Sequence, residues 1–199
     1  MEKIKLNPEE IIVELLNEDN QHHIGSFCSA ACQELEKFLK ENAWKEQSLG
    51  FSKTYLFFHN NILAGYVTLL TDKQPLKHDY AHPSLAIFEK KLGGAYSSVP
   101  ALKIGRICVA DKYNSQLEIA PYAGLGTIIF MVVLNHTKEL ASKVGCRVVT
   151  TNAKKITGAY LWYQKLGFQF SNKEERVREL LAKDNCESIP MFFDTKRVI

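Results

Sequence analysis

The residues of this sequence whose types and spacing could do chemistry are a glycine pair, one set of thiol and imidazole groups, a separate cysteine, and three lysines. Gly124-Leu125-Gly126 follows a predicted strand, Leu102–Val109, and opens a predicted helix. Glycines let backbone amides approach a ligand closely, and a helix N-terminus adds unpaired N–H groups with positive dipole character. Such a turn can hold a phosphate, each interaction contributing about 0.3–2 kcal/mol, although ordinary turns also produce Gly-x-Gly. His22-His23 with Cys28 and Cys32 has the residue types of a zinc site, and positions four apart share a helix face. Small buried cysteines explain this set more simply, so no metal is expected. Cys108 as an acyl-carrying nucleophile lacks a histidine nearby in sequence. Lys154-Lys155 and Lys165 could meet phosphates but read first as solvated surface lysines.

The elements that must position these groups follow from periodicity. Glu9–Leu16 is apolar-rich and fits strand or helix. Leu35, Phe38, Leu39 and Ala43 sit at helical spacing, with Ser29 as the expected N-cap. Tyr55–Phe58 and Ile62–Leu70 read as a hairpin turned by His59-Asn60-Asn61. Residues 77–98, with Pro83 and Gly93-Gly94, read as an irregular excursion holding one short helix. Pro100–Val109 is again strand.

Thr127–Leu134 has strand-like composition. Its continuation through Leu140, Ala141 and Val144 to Gly145 predicts instead a helix whose first turns are buried on all sides. Cys146–Thr151 is a short strand, Thr157–Leu166 a helix, Phe168–Phe170 the start of a strand, Lys173–Lys183 a solvated helix and Pro190–Asp194 a last strand. Strands alternating with helices around a central hairpin predict an α/β (α+β) mixed sheet covered by helices.

Composition narrows the class. The chain has 199 residues, 46% hydrophobic and 24% charged, with a net charge of +3. That supports one folded domain over residues 1–199 and argues against disorder. The weak positive balance permits a nucleic acid partner but lacks the dense basic stripe of a duplex binder. No N-terminal apolar h-region and no run of about 18–20 apolar residues is present, so neither export nor membrane insertion is expected. Five scattered cysteines fit reduced thiols, and the expected compartment is the cytoplasm.

At Ala159-Tyr-Leu-Trp-Tyr163-Gln-Lys-Leu-Gly167-Phe168 the sequence resembles the GNAT family of acetyl-CoA-dependent N-acetyltransferases. The likeness runs from Arg106-Ile-Cys-Val109 through the glycine loop to the Gly167-Phe168 signature. Upstream, Ser26-Phe-Cys-Ser29, Glu34–Lys40 and Ala64-Gly65-Tyr66 resemble one branch of the family. That branch holds the acetyltransferases of toxin–antitoxin pairs and their non-toxic relatives. The resemblance implies a mixed, mostly antiparallel central sheet flanked by helices, with strands splayed at the acetyl-CoA site.

It also implies roles. Ile107, Cys108 and Val109 would pair with the pantetheine arm through their backbone. Tyr122, Gly124, Leu125, Gly126 and Thr127 belong to the loop whose amides would hold the pyrophosphate. Asn152 resembles the family asparagine near the pantetheine, and Tyr163 the general acid that protonates the leaving thiolate. Tyr160 is the reserve for that role, and a plain core aromatic is the competing reading. The family's Gln/Arg at the loop start is here Pro121, which offers no N–H.

Pro100–Val109 carries no acid to serve as a base. An α-amine with pKa about 7.7–8.0 is roughly a seventh neutral at pH 7, whereas a lysine amine near 10.4 is almost wholly charged. The expected activity is therefore acetyl transfer in a ternary complex to a small-molecule or aminoacyl amine, by a monomer or homodimer. A toxin acting on aminoacyl-tRNA is an alternative that the modest charge disfavours. A catalytically idle CoA-binding module is the other.

Overall fold

A computed structural model describes residues 2–76, 81–91, 93–155 and 157–198. Among the described residues the strands are β1 (Ile4–Lys5), β2 (Ile11–Leu15), β3 (Lys53–His59), β4 (Ile62–Pro75), β5 (Ser98–Val109), β6 (Tyr122–Ala123), β7 (Val148–Lys154), β8 (Gln169–Phe170) and β9 (Ser188–Asp194). The helices are α1 (Gln33–Glu41), α2 (Ala43–Ser48), α3 (Pro83–Lys91), α4 (Leu125–Lys143), α5 (Ala159–Lys165) and α6 (Glu174–Ala182). Seven strands form one sheet in the order β2-β3-β4-β5-β7-β9-β8, and β1 pairs with β6 apart from it. Neighbours pair antiparallel at β2–β3, β3–β4, β7–β9 and β8–β9, and in parallel at β5–β7. This is the mixed, mostly antiparallel sheet flanked by helices that the resemblance implied.

Two compact units are present: Met1–Leu70 with Gly105–Val133, and Thr71–Ile104 with Leu134–Ile199. In the first, the β3–β4 hairpin turns at Asn60 and Asn61, with φ of 50° and 60°. Paired positive φ values match the right-handed twist of the flanking strands, and asparagine tolerates them. The core here gathers Leu16, Phe27, Phe38, Leu39, Leu56 and Tyr66. The buried Tyr66 hydroxyl finds a partner in the Leu35 carbonyl at 2.7 Å. Glu9–Leu16 resolves to strand over Ile11–Leu15.

In the second unit, Leu76, Leu85, Phe88, Val99, Ala101, Val148 and Phe192 form the core. The short helix expected in the excursion is Pro83–Lys91, while residues 77–80 and 92 lie outside the described residues. The β5–β7 ladder spans Ala101–Ile104 against Val148–Thr151. Beyond Thr151, β7 continues to Lys154 paired with β9, whereas β5 runs on through Gly105–Val109 into the first unit.

Two expectations need correction. Ser29 does not cap a helix with its side chain; it precedes a single 3-10 turn, Ala30–Cys32. Both carboxylate oxygens of Asp111 accept from the Ala30 N–H at 3.0 Å instead. A carboxylate is the stronger acceptor for an orphan amide at a positive helix end. The start of α4 is also not buried all round. Ile128, Ile129, Phe130 and Val133 are buried, but Met131 is 50% exposed. The inner stripe continues through Thr137, which is fully buried, because helical geometry rotates Met131 to the opposite face.

Candidate functional site

Within the first unit, the glycine loop turns at Gly124, whose φ of +98° suits glycine alone without strain. The Gly124 carbonyl accepts from the amides of Thr127 and Ile128 at 3.0 and 3.2 Å, which starts α4. By helix geometry the amides of Leu125 and Gly126 have no intrahelical carbonyl to bond, so they can serve an anion. Leu125 is fully buried, and its side chain lies against Gly65, where a Cβ would stand 3.2 Å from Leu125 Cδ2. It can thus reach a ligand only through its backbone. Gly126 is half-buried and Thr127 exposed.

The loop's approach has a support that sequence reasoning missed. β1 pairs with β6 in parallel, Ile4 against Tyr122 and Lys5 against Ala123. The Ile4 N–H donates to the Pro121 carbonyl at 2.8 Å and Leu6 N–H to the Ala123 carbonyl at 3.0 Å. Pro121 therefore acts here as an acceptor, a role its missing N–H does not impair. Lys3 Nζ reaches the Ser115 and Leu117 carbonyls at 2.6 Å each. The Tyr122 ring stacks on Tyr113 at 5.0 Å and meets His59 edge-on at 5.0 Å, and His59 Nδ1 lies 3.1 Å from the Tyr113 hydroxyl. A two-residue strand of ordinary composition carries no periodicity, so nothing in the sequence marked β1.

Ile107, Cys108 and Val109 occupy the last three positions of β5. Ile107 and Val109 are half-buried and Cys108 is buried. The Cys108 thiol is pushed well above the ordinary thiol range by its hydrogen bond with Cys32 and by burial. It stays protonated, which makes it a poor nucleophile. The Cys28 thiol points at Asp111 Oδ2, 4.0 Å away, and His22 Nδ1 lies 2.7 Å from the Asp19 carbonyl. Among the described residues, no three His, Cys, Asp or Glu side chains converge as a metal would need.

Within the second unit, α5 starts at Gly158 (φ +64°) and ends before Gly167 (φ +96°). A Cβ on Gly167 would stand 3.3 Å from the Phe193 ring, so close packing adds to the demand for glycine. Between them Tyr163 is buried, its ring edge-on to Phe168 at 4.9 Å and to Trp162 at 4.8 Å. Thr151 Oγ lies 3.4 Å from the Tyr163 hydroxyl oxygen and 3.3 Å from the Ile104 carbonyl oxygen. Its single proton serves one of these acceptors at a time. Tyr160 is half-buried beside Phe170. Asn152 is exposed on β7, one residue past Thr151 and opposite Pro190. Lys155 Nζ donates to the Lys183 carbonyl at 3.0 Å, and Lys165 is exposed.

Burial pushes the Tyr163 hydroxyl up to about 12, with the Thr151 hydrogen bond opposing. An unfolded tyrosine titrates near about 10, so above that pH the unfolded chain releases a proton that the folded one retains. Stability should begin to fall above pH about 8.5, where unfolded cysteines ionise while Cys108 and Cys146 stay protonated, and fall further from about 10 toward about 12 as Tyr163 contributes. Urea unfolding followed by circular dichroism should show this, with a shallower fall in Tyr163→Phe. Tyr66 and Tyr113, also raised by burial, and the thiols of Cys108 and Cys146 supply the remainder.

No family model matches the chain, and no curated protein matches it. Solved structures do. A tyrosine-to-phenylalanine mutant of KacT superposes with a TM-score of 0.73 at 20% identity, covering 95% of this chain and 97% of that chain. AtaT complexed with acetyl-methionyl-tRNAfMet gives 0.69 at 20% identity, covering 94% and 96%. A tyrosine-to-phenylalanine mutant of the toxin AtaT, bound to the C-terminus of its antitoxin AtaR and to acetyl-CoA, gives 0.65 at 18% identity, covering 95% and 96%. Near-complete coverage on both sides shows a shared fold over almost the whole chain.

Proposed function

We propose that the chain is an acetyl-CoA-dependent N-acetyltransferase that passes an acetyl group to a primary amine by direct attack. The observation that carries this reading is Tyr163, a buried hydroxyl held 3.4 Å from Thr151 at the end of the β5–β7 ladder. It stands in a fold shared with AtaT, which has been solved with acetyl-CoA. The positive-φ turn at Gly124 and the opening amides of α4 suit the pyrophosphate, with Tyr122 and Thr127 flanking them. The backbone of Ile107, Cys108 and Val109 suits the pantetheine amides, with Asn152 as a further partner.

In the step itself the neutral amine forms a C–N bond to the thioester carbonyl carbon and the C–S bond breaks. The amine gives up its proton to water, and Tyr163 protonates the departing thiolate and is reprotonated from solvent. A phenol near about 12 remains protonated throughout the neutral range, so the proton is in place before each turnover.

The likeness to AtaT complexed with acetyl-methionyl-tRNAfMet favours a second reading, acetylation of the α-amine of an aminoacyl-tRNA. One experiment separates the two. Purified protein with labelled acetyl-CoA is offered small primary amines in one arm and aminoacylated tRNA in the other. Label on small amines alone supports the first reading, and label on the charged tRNA alone supports the second. No coenzyme binding by calorimetry and no label in either arm overturns both.

A further inference from the structure

A cavity of about 290 Å³ lies within the second unit, lined from β4, β5, β7 and β9 and the residues after β8. Its lining mixes polar and apolar surface and carries both signs of charge, with Asp72 the one acid among the described lining residues, beside Lys73 and Lys103. Asp72 is anchored: the Thr150 hydroxyl donates to its Oδ2 at 2.7 Å, and Lys103 Nζ lies 3.8 Å away. Ser171 donates to Gln74 Oε1 at 3.1 Å, and both are buried, which stiffens the wall. Thr151 belongs to the same lining, and its hydroxyl is the one 3.4 Å from Tyr163. Successive strand residues face opposite sides of the sheet, so Thr150 turns its hydroxyl to Asp72 and Thr151 its own to Tyr163, and the width of β7 separates the cavity's carboxylate from the proposed acid.

Ligand pockets usually span about 300–1,000 Å³, so this one suits a compact head group rather than a long side chain. An anchored carboxylate beside a lysine matches an amine next to a carbonyl oxygen. We infer that this cavity receives the acceptor, a small polar α-amino compound, which docks with its ammonium on the Asp72 carboxylate and its neighbouring carbonyl oxygen on Lys103 and gives up its proton to water before it attacks. As an acceptor site it rests on the acetyl-transfer reading above; as an amine site it is tested without turnover.

The probe is serinamide, with N-acetylserinamide as the counterpart that lacks the amine. Calorimetric titration of the whole chain without coenzyme should detect serinamide and not N-acetylserinamide. Asp72→Asn, which keeps the shape and removes the charge, should weaken serinamide about tenfold or more, as loss of a charge-assisted hydrogen bond does. Thr150→Val, which leaves the carboxylate charged, should weaken it less. In turnover, Asp72→Asn should raise the KM for serinamide similarly while kcat and the KM for acetyl-CoA stay nearly level.

A purely structural role for Asp72 would instead lower the melting temperature with serinamide affinity and KM unmoved, and that result overturns the inference. So does wild-type protein that takes up no serinamide, or that takes up both probes equally. Serinamide binding that depends on Asp72 in a protein unable to bind or use acetyl-CoA would sink the acetyltransferase reading and leave the amine site standing.

Discussion

Tyr163→Phe is expected to lose about 10²–10⁴-fold in turnover while binding acetyl-CoA almost as the parent does. The substitution deletes one oxygen and keeps the ring, so its edge-on packing with Phe168 and Trp162 survives. Thr151 is not orphaned either, because its hydroxyl still has the Ile104 carbonyl at 3.3 Å. The stability cost should stay near that of one hydrogen bond, about 0.5–1.5 kcal/mol. A turnover loss beyond what that could cause, with coenzyme affinity intact, marks a group used in the chemical step. Steady-state kinetics, thermal melting and coenzyme calorimetry on the same preparation check it. Turnover equal to the parent would remove Tyr163 from the mechanism and return it to the role of a core aromatic. Because its hydroxyl titrates near about 12, any rate change of the parent between pH 6 and about 9 should belong to the amine or another group.

The second large effect is expected at the glycine loop. Gly124→Val should weaken acetyl-CoA binding by roughly tenfold or more with the fold retained. The position sits at φ +98°, which a β-branched residue adopts only with strain of about 1–3 kcal/mol. Space is not the obstacle, since a Cβ there would meet only Lys5 Cγ at 3.9 Å. The chain can relieve the strain by rotating the turn, and rotation re-aims the Leu125 and Gly126 amides. A loss of about 1.4 kcal/mol of phosphate contact is already tenfold in affinity. Gly50→Val is the matched control, because Gly50 also has positive φ (+77°) in open space and lies after α2. Both variants should lose similar stability, and only Gly124→Val should lose coenzyme. Equal coenzyme affinity in the two would detach the loop from pyrophosphate binding.

Periodicity and local chemistry explain which features were legible in the residues alone. The β3–β4 hairpin could be read because Asn60-Asn61 is a local solution to a local twist problem. α5 with Gly167-Phe168 was equally plain, since a glycine at a helix end answers a backbone demand within one turn. α4 was placed despite its strand-like composition, because its period and Gly145 outweighed propensity. Its burial breaks at Met131, as apolar type does not report which neighbour a side chain meets. Ser29 was misassigned for a related reason. A serine before a helix is a good local cap, but Asp111, 81 residues from Ala30, takes the amide instead.

By itself the sequence determined the order of the longer strands and helices, the glycine turn that opens α4, and the aromatic helix bearing Tyr163, all set by interactions within a few residues. Only the tertiary structure decided the partners that folding brings from far along the chain. β1 supports the loop approach through Pro121 and Ala123, Cys32 holds Cys108 protonated, and Thr151 meets Tyr163. Asp72, 78 residues from Thr150, becomes an anchored carboxylate in a polar cavity. The physical reason is range. Backbone preferences and periodicity act over one or two turns and leave a trace in adjacent letters. Hydrogen bonds, burial and pKa shifts depend on what packs nearby, and they exist only once the sheet has aligned its strands.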